Sequence, residues 1–418
     1  MCVCVYVCMY ILCIGSLQGA TLITFTNICT DLKGAKLEAL RTMISTLAPS
    51  NVKKNKSLGV DSLFHLYTEE INDLYKGKIF VVNGVKKMVF LQIPYFQGDA
   101  PWIKELGGYS SSVTCKLACT KCLTTVNNFG PSLIDDSLIG ENRDPTSLYD
   151  FYRRNGHKHG VPNSCVLLSE MESEGIKRLP ALLNWPAPEN EDGKKYFDND
   201  KLCTCTMHAC ELGFSKKLFI NLVKELSMDC SMNLDTIYAK MSALFGIYCV
   251  HNKIAVRSKF HDKLTFRSRL KANHMKEFVA VSCEILVSLG LVPTSVEVAR
   301  AVNQRKRVAM EQKVQSFDIW CTYVQIMKIL NSRKISSKQL HDTEELINKV
   351  LLYTAVRRPT LCTWNFHTFT HIIGAIKKFG PSSFWNNYSG EGIINFLFCI
   401  KYLNLLNIIY NIQVILDN

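Results

Sequence analysis

A succession of amphipathic segments in the second half of the chain limits its fold more than any other feature. Apolar residues recur there at about the 3.6-residue period of a helix. Helices are therefore predicted over residues 212–226, 234–250, 276–289, 294–312, 317–330, 339–356 and 364–379, with Thr294 as an N-cap. The 418-residue chain is 47% apolar, so it has enough hydrophobic side chains to bury a core and is not a disordered tail.

The first quarter of the chain has a different pattern, in which β-rich runs predominate. Residues 21–29 predict a strand, and helical spacing predicts helices over 33–47 and 62–75. Asn83-Gly84 separates two further β-rich runs and is typical of a two-residue hairpin, because both central residues need positive φ. The second hairpin strand leads toward Asp99, so a carboxylate is expected just past a strand end.

A modest excess of basic residues bears on the kind of partner. The formal net charge of +13 favours a polyanion such as nucleic acid as the partner. One basic stretch, with Phe260 and Phe266 interleaved, could line a phosphate track or form a solvated basic face, and both interpretations stay open. Its members are Lys253, Arg257, Lys259, Lys263, Arg267, Arg269, Lys271 and Lys276. Arg305-Lys306-Arg307 is a weak nuclear-import candidate.

The cysteines and histidines contain one plausible set of metal ligands. The 18 cysteines lack the regular spacing of a secreted disulfide framework, which indicates a reducing compartment. Cys119 and Cys122 form the only CxxC, and His367 and His371 lie one helical turn apart, so both imidazoles can point to one side. Two thiolates and two imidazoles make a tetrahedral zinc site, whereas the alternative is a buried thiol pair with packed histidines. Cys203, Cys205 and His208 are expected to be structural.

Four blocks of sequence, which begin at Gly98, Cys205, Arg269 and Asn365, resemble in their order and spacing segments of CACTA (EnSpm) and related cut-and-paste DNA transposases. GDAPWIKELGGYSSSVTCKLACTKC is similar to the segment in which the second catalytic Asp precedes a CxxC. CTMHACELGFSKKLF resembles the D-x-M-H-x-x-x-L-G block, and RLKANHMKEFV the lysine-alanine helix. NFHTFTHIIGAIKKFGPSSFW resembles the N-x-H-x-x-x-H block with its following F-G-P and Trp. The resemblance covers roughly residues 22–395.

The resemblance implies a fold and a chemistry. The fold is an α/β protein with a truncated RNase H-like core and a large all-α insertion, held by structural zinc at Cys119, Cys122, His367 and His371. The implied catalytic carboxylates are Asp99 and Glu391, which would bind Mg²⁺ or Mn²⁺ for DNA hydrolysis and strand transfer. The implied partner is DNA at transposon ends, in the nucleus, and the resemblance leaves room for a homo-oligomer.

The chain departs from the family pattern at two acidic positions. The first catalytic Asp of the family lies on the first strand, yet no acidic residue precedes Asp31 in this sequence. The Asp of the D-x-M-H block is replaced by Cys205. We therefore expect a transposase remnant that is catalytically inactive as written. The alternative is a domesticated, non-catalytic protein that binds DNA or another protein.

The two ends of the chain look foreign to the family. The apolar start, MCVCVYVCMYILCI, is either a translated simple repeat or a hydrophobic leader, and a membrane-anchored protein using that leader is the less favoured third class. The expected domains are a leader at 1–20, a partial core at 21–122, a loop-rich connector at 123–200, a helical insertion at 201–380 and a return to the core with a divergent tail at 381–418.

Overall fold

Two compact units make up the computed structural model of this protein. The residues described are 3–13, 20–27, 42–49, 75–82, 85–92, 96–98, 100–110, 114–145, 199–228, 230–251 and 272–384, with a few shorter pieces between residues 72 and 176. One unit comprises residues 1–123, 141–205 and 385–418, and the other residues 124–140 and 206–384. Each is described below by itself.

The first unit contains a mixed β-sheet. Its strands are β1 (Val3–Cys13), β2 (Ala20–Asn27), β3 (Thr42–Pro49), β4 (Lys78–Val82), β5 (Val85–Gln92), β6 (Phe96–Gly98) and β7 (Leu202–Thr204). Strand β1 pairs antiparallel with β2, which pairs antiparallel with β3. Along its other edge β1 pairs parallel with β5 and then with β6, and β6 pairs parallel with β7. A short helix, α1 (Ala100–Leu106), follows β6.

The sheet confirms two expectations from the sequence and corrects a third. Strand β2 covers most of the strand predicted at 21–29, and β4 and β5 form the predicted antiparallel hairpin, with Val82 opposite Val85. The helix predicted over 33–47 is wrong for residues 42–47, which lie in β3. Thr42, Ile44 and Thr46 are β-branched and pair with β2, so cross-strand pairing overrides the helical spacing there. The helix predicted over 62–75 lies almost wholly outside the described residues.

The second unit is helical. A π-helix at Met207–Ser215 runs directly into α2 (Lys216–Leu226). The later helices are α3 (Leu234–His251), α4 (Ala272–Val279), α5 (Ser282–Ser288), α6 (Ser295–Arg300), α7 (Gln304–Leu330), α8 (Ser337–Arg357), α9 (Trp364–Thr370) and α10 (Ile372–Phe379). The described residues are thus mostly helical, as the amphipathic segments predict. Among the described helices, none combines the length and the apolar character needed to cross a bilayer.

The boundaries of three predicted helices differ from the structure. The helix predicted over 294–312 is divided, because α6 ends at Arg300 and α7 begins after the N-cap Asn303. Asn303 Oδ1 accepts hydrogen bonds from the amides of Arg305 and Lys306, so a new helix begins there. This helix, α7, continues through the segment predicted at 317–330. Similarly, α4 and α5 divide the segment predicted at 276–289, and α9 and α10 divide 364–379.

Aromatic side chains form the centre of the helical unit. Phe219 of α2 packs against Trp320 of α7 and Phe278 of α4, each at a centroid distance of 5.0 Å. Phe214 of the π-helix contacts Tyr323 at 5.4 Å. These rings are essentially inaccessible to solvent, and burying such large side chains is a main source of stability. The core therefore fixes the π-helix against α7.

Candidate metal centre

The structure brings together the four side chains that the sequence singled out as metal ligands. The ligand atoms of Cys119, Cys122, His367 and His371 all lie within 4.8 Å of one another. Both cysteines and His367 are buried, and His371 is partly exposed. Thiol and imidazole groups at such distances could hold a metal ion, and the Cys₂His₂ set is compatible with zinc. Among the described residues no second set of three or more Cys, His, Asp or Glu meets the same condition.

The thiol pair lies in a loop after α1 that is held by a neighbouring segment. The guanidinium of Arg143 is buried and donates from Nε and Nη2 to the Cys119 carbonyl, at 3.2 and 3.1 Å. The backbone of Arg143 donates to Lys121 O at 3.0 Å, and Leu123 N donates to Glu141 O at 2.8 Å. These hydrogen bonds hold the turn that contains both cysteines and so help to position the thiols.

The surroundings of Cys119 favour its thiolate form. Burial alone would raise the pKa of this thiol, but hydrogen bonds from the Cys122 side chain and from the amides of Lys121 and Cys122, with the nearby Arg143 charge, bring it down to about 7. The Lys121 amide lies 3.3 Å from Cys119 Sγ. Burial also lowers the pKa of Lys104 to about 8. Because the thiolate is the form that ligates metals, this electrostatic environment suits a metal ligand.

The imidazole pair lies where α9 ends. His367 is in α9, and His371 is the residue between α9 and α10. Their Nε2 atoms are 3.2 Å apart, so both rings direct the same nitrogen toward a common point. Phe129 stacks on the His367 ring at 4.1 Å with an interplanar angle of 8°. Stacking and burial hold this imidazole in one orientation.

Phe129 belongs to the segment that follows the thiol pair in sequence, and this segment packs within the helical unit. The next residue, Gly130, has no room for a side chain, because a Cβ there would meet Cys362 Sγ at 2.8 Å. The segment also contacts α8 through residues 131–133. The chain that leaves Cys122 is thus anchored beside His367 after only a few residues.

Several sequence-predicted site residues lie outside the described residues. Asp99 and Glu391 are both among them, and so are seven of the eight basic positions, Lys253, Arg257, Lys259, Lys263, Arg267, Arg269 and Lys271. The eighth, Lys276, lies in α4 and is partly buried, and its charge acts on Glu211. Cys203 and Cys205 are buried and are not among the four side chains of the candidate metal centre.

The sequence does not predict that an acidic residue of the π-helix is buried. Glu211 is 2% exposed, and burial raises the pKa of its carboxyl to about 8, against the opposing influence of Lys276, Asn331 and His208. Its Oε2 atom has no hydrogen-bond partner among the described residues. Nothing in the local sequence signals this, because a lone Glu in an apolar segment normally faces water.

Two of the quoted motif blocks meet in the helical unit. Gly213 of the π-helix lies against Asn365 of α9 so closely that a Cβ at position 213 would be 2.3 Å from Asn365 Nδ2. Phe214 and Phe366, the residues that follow each of these, pack edge to face at 5.6 Å. The Leu-Gly end of the D-x-M-H-like block and the start of the N-x-H-like block therefore form one contact, which leaves no room for a side chain at position 213.

Comparison with known proteins adds no name to this arrangement. No protein-family model matches the chain, and no curated protein sequence matches it either. Function is therefore inferred from the four candidate metal ligands, the strand order and the motifs in the sequence.

Proposed function

We propose that this chain is a zinc-binding remnant of a CACTA-like cut-and-paste DNA transposase that has lost catalysis and retained DNA binding. The observation that carries the proposal is the convergence of Cys119, Cys122, His367 and His371 within 4.8 Å. The two halves of this set come from parts of the chain that are far apart in sequence. Their meeting is what the ordered motifs of the transposase resemblance require.

The geometry supports zinc as the metal. In a tetrahedral site with bonds of about 2.0 to 2.3 Å, neighbouring ligand atoms lie roughly 3.3 to 3.8 Å apart. The ligand atoms lie at most 4.8 Å apart, which is about 1 Å longer than the separation in a zinc site. Rotation of the side chains can close that difference. The buried position, the mixed sulfur and nitrogen set and the absence of a carboxylate from it are typical of a structural rather than a catalytic zinc.

The strand order supports an RNase H-like core. Strands β1, β2 and β3 form an antiparallel meander, and β6 and β7 extend the sheet from β1 in parallel, which is the arrangement such a core has. Asp99 follows β6 directly in sequence, and β6 is paired with the central strand, with Met9 opposite Phe96. The family's second catalytic Asp occupies the corresponding place.

The position of β1 in the sheet, together with its sequence, supports loss of catalysis. Strand β1 occupies the place of the family's first strand, where the first catalytic Asp belongs, yet its sequence VCVYVCMYILC contains no acidic residue. Bound Mg²⁺ or Mn²⁺ would supply charge neutralisation and activation of the attacking oxygen in phosphoryl transfer. With Asp99 and Glu391 as the remaining carboxylates, the site has one ligand fewer than the three such chemistry needs.

A cleavage assay tests the loss of catalysis. The purified full chain is incubated with linear and supercoiled DNA in Mg²⁺ and then in Mn²⁺, and nicked product is measured beside the Asp99→Asn variant. We expect no product above the protein-free control from either protein. Nicking by the unaltered chain that disappears in Asp99→Asn would show an active centre and contradict the proposal.

DNA binding is the retained function, and the charge of the chain supports it. The net charge is +13, and the basic stretch from Lys253 to Lys276 holds eight of the cations. Phosphate contacts by Lys and Arg give an affinity that falls steeply with salt. Arg305, Lys306 and Arg307 are exposed where α7 begins, which supports a nuclear location for the same protein.

Matched charge variants test where DNA binds. One variant replaces Arg257, Lys259 and Lys263 with Gln, and its control replaces the exposed Arg333, Lys334 and Lys338, so both lose the same net charge. We expect DNA affinity at about 100 mM salt to fall roughly tenfold or more in the first variant and by much less in the control. Equal losses in both would mean that net charge alone is responsible, and the basic stretch would have no special role.

A further inference from the structure

A second pair of sulfur atoms lies in close contact away from the metal centre. Cys283 is in the first turn of α5 and Cys321 is in α7, and their Sγ atoms are 3.1 Å apart. Both are free thiols and both are partly exposed. Neither belongs to the motif blocks or to the candidate metal ligands.

The helices that carry these thiols are joined by a hydrogen bond between the residues that precede the two cysteines in sequence. Trp320, next to Cys321, donates from its indole Nε1 to Ser282 Oγ, next to Cys283, at 2.8 Å. Ser282 Oγ in turn donates to Val279 O at 2.8 Å. Trp320 is 1% exposed and Ser282 is fully buried. This buried hydrogen bond holds α5 against α7 directly beside the two sulfur atoms.

The contact makes the two thiols unequal. The hydrogen bond between the two side chains lowers the pKa of Cys321 and raises that of Cys283. The charged groups that act on the pair are Lys328 and Glu284 near Cys283 and Asp318 near Cys321. Cys321 is therefore the thiol that ionises first and the better nucleophile of the two.

We propose that Cys283 and Cys321 form a reversible disulfide and are a site of modification by small-molecule disulfides such as glutathione disulfide. The Cys321 thiolate attacks one sulfur of glutathione disulfide, forming a mixed disulfide and releasing one glutathione thiolate. The Cys283 thiolate then attacks Cys321 Sγ and releases the second glutathione. The two protein thiols are oxidised, the glutathione disulfide is reduced to two thiols, and the two thiol protons go to the released glutathiones.

The bond would have a structural consequence in the helical unit. It would link α5 directly to α7 and close the loop of residues 283–321, which contains most of α5, all of α6 and the first part of α7. Cross-linking a loop of this size removes conformational freedom from the unfolded chain. We expect oxidation to raise the thermal midpoint of the helical unit by about 5 °C.

Oxidation in glutathione buffers, followed by peptide mass spectrometry, tests the site. The full chain is equilibrated with defined ratios of reduced and oxidised glutathione, quenched with an alkylating reagent and digested. The Cys283→Ser and Cys321→Ser variants are compared with Cys230→Ser, which removes a different partly exposed thiol. Peptide mapping assigns each link to its residues, so oxidation of other cysteines does not obscure the result.

The expected result is a peptide linking Cys283 to Cys321 in the parent and in Cys230→Ser, reversed by excess reduced glutathione, with the thermal midpoint raised in both. The two pair variants should show neither the link nor the rise. Two outcomes would overturn the proposal. One is glutathione bound stably at Cys321 without transfer to Cys283, and the other is links among other cysteines under conditions that leave this pair reduced.

Discussion

Glu211 is the residue whose environment departs most from its ordinary chemistry. Its carboxyl is buried against the aromatic core, and burial raises its pKa to about 8 from a usual value near 4.5. The folded chain therefore keeps a proton that the unfolded chain has released between these two pH values. By linkage, this group makes the protein less stable as pH rises from about 4.5 to 8, and its full cost is present above that range.

Glu211→Gln should remove that pH dependence. The amide resembles the protonated acid, so the variant should match the parent near pH 4 and exceed it in free energy of unfolding at pH 8.5, by about 2 to 4 kcal/mol. Denaturant unfolding across this pH range measures the difference. The control is Glu284→Gln, the same change at an exposed position of α5. A variant less stable than the parent at pH 8.5 would show that Glu211 is ionised and stabilised where it is.

Gly213 gives a second prediction, which concerns the contact between two motif blocks. In Gly213→Ala the new Cβ meets Asn365 at 2.3 to 2.9 Å, so α9 or the π-helix must shift. The expected cost is about 1 to 3 kcal/mol in unfolding free energy. Gly374→Ala in α10 is the matched control, since a Cβ there has nothing within 4 Å. That control should be neutral or slightly stabilising because alanine favours helix. Equal effects of both substitutions would contradict the close approach.

Some of the residues with unusual environments can be predicted from the sequence and others cannot. Cys119, Cys122, His367 and His371 could be proposed in advance because paired spacing is itself a chemical signal for metal binding. Glu211 could not, because its raised pKa comes from burial in the folded chain, which the local sequence does not show. The contact between Cys283 and Cys321 could not be predicted either, because neither cysteine belongs to a spaced cysteine motif in its own segment.

At the scale of elements, helix caps decide where the predicted segments begin. The N-cap of α8 is Ser336, whose side chain accepts a hydrogen bond from Gln339 N, while the Gln339 side chain accepts one from Ser336 N at 2.9 Å. Such a reciprocal capping box satisfies two amides that the helix leaves without partners. It lies three residues before the start predicted from apolar periodicity alone.

Ser336→Ala should destabilise the helical unit by about 1 kcal/mol, because the Gln339 amide loses its acceptor. Thermal or denaturant unfolding measures this, with Ser337→Ala as the control. Ser337 is the adjacent exposed residue, inside the helix. A loss in the control as large as that in Ser336→Ala would mean that the cap contributes nothing specific.

Periodicity predicted the existence of most helices and failed where non-local pairing or capping intervenes. Residues 42–47 have helical spacing, yet they form β3 because their partners in β2 supply a ladder that local preference cannot reveal. The division of 364–379 at His371 could not be predicted either, since apolar spacing continues across the break between α9 and α10. The hairpin was predictable because its turn chemistry is local.

At the scale of the whole molecule, the proposed zinc ion would join two cysteines and two histidines that are remote in sequence. A bound zinc adds its binding free energy to the folded state and none to an unfolded chain that lacks the site. The mostly helical character of the chain was predictable from its pattern, whereas the sheet order was not, because strand pairing is non-local. The proposal of a catalytically inactive remnant depends on the absence of an acidic residue from β1.

Zinc analysis with X-ray absorption at the zinc edge tests this central claim most directly. The full chain is purified without chelators and measured beside Cys119→Ser and the control Cys230→Ser. The account predicts one zinc per chain in the parent and the control, with two sulfur ligands at about 2.3 Å and two nitrogen ligands at about 2.0 Å. It also predicts that Cys119→Ser loses the metal or one sulfur ligand. Protein that contains no zinc, or zinc bound by oxygen and nitrogen alone, would contradict it.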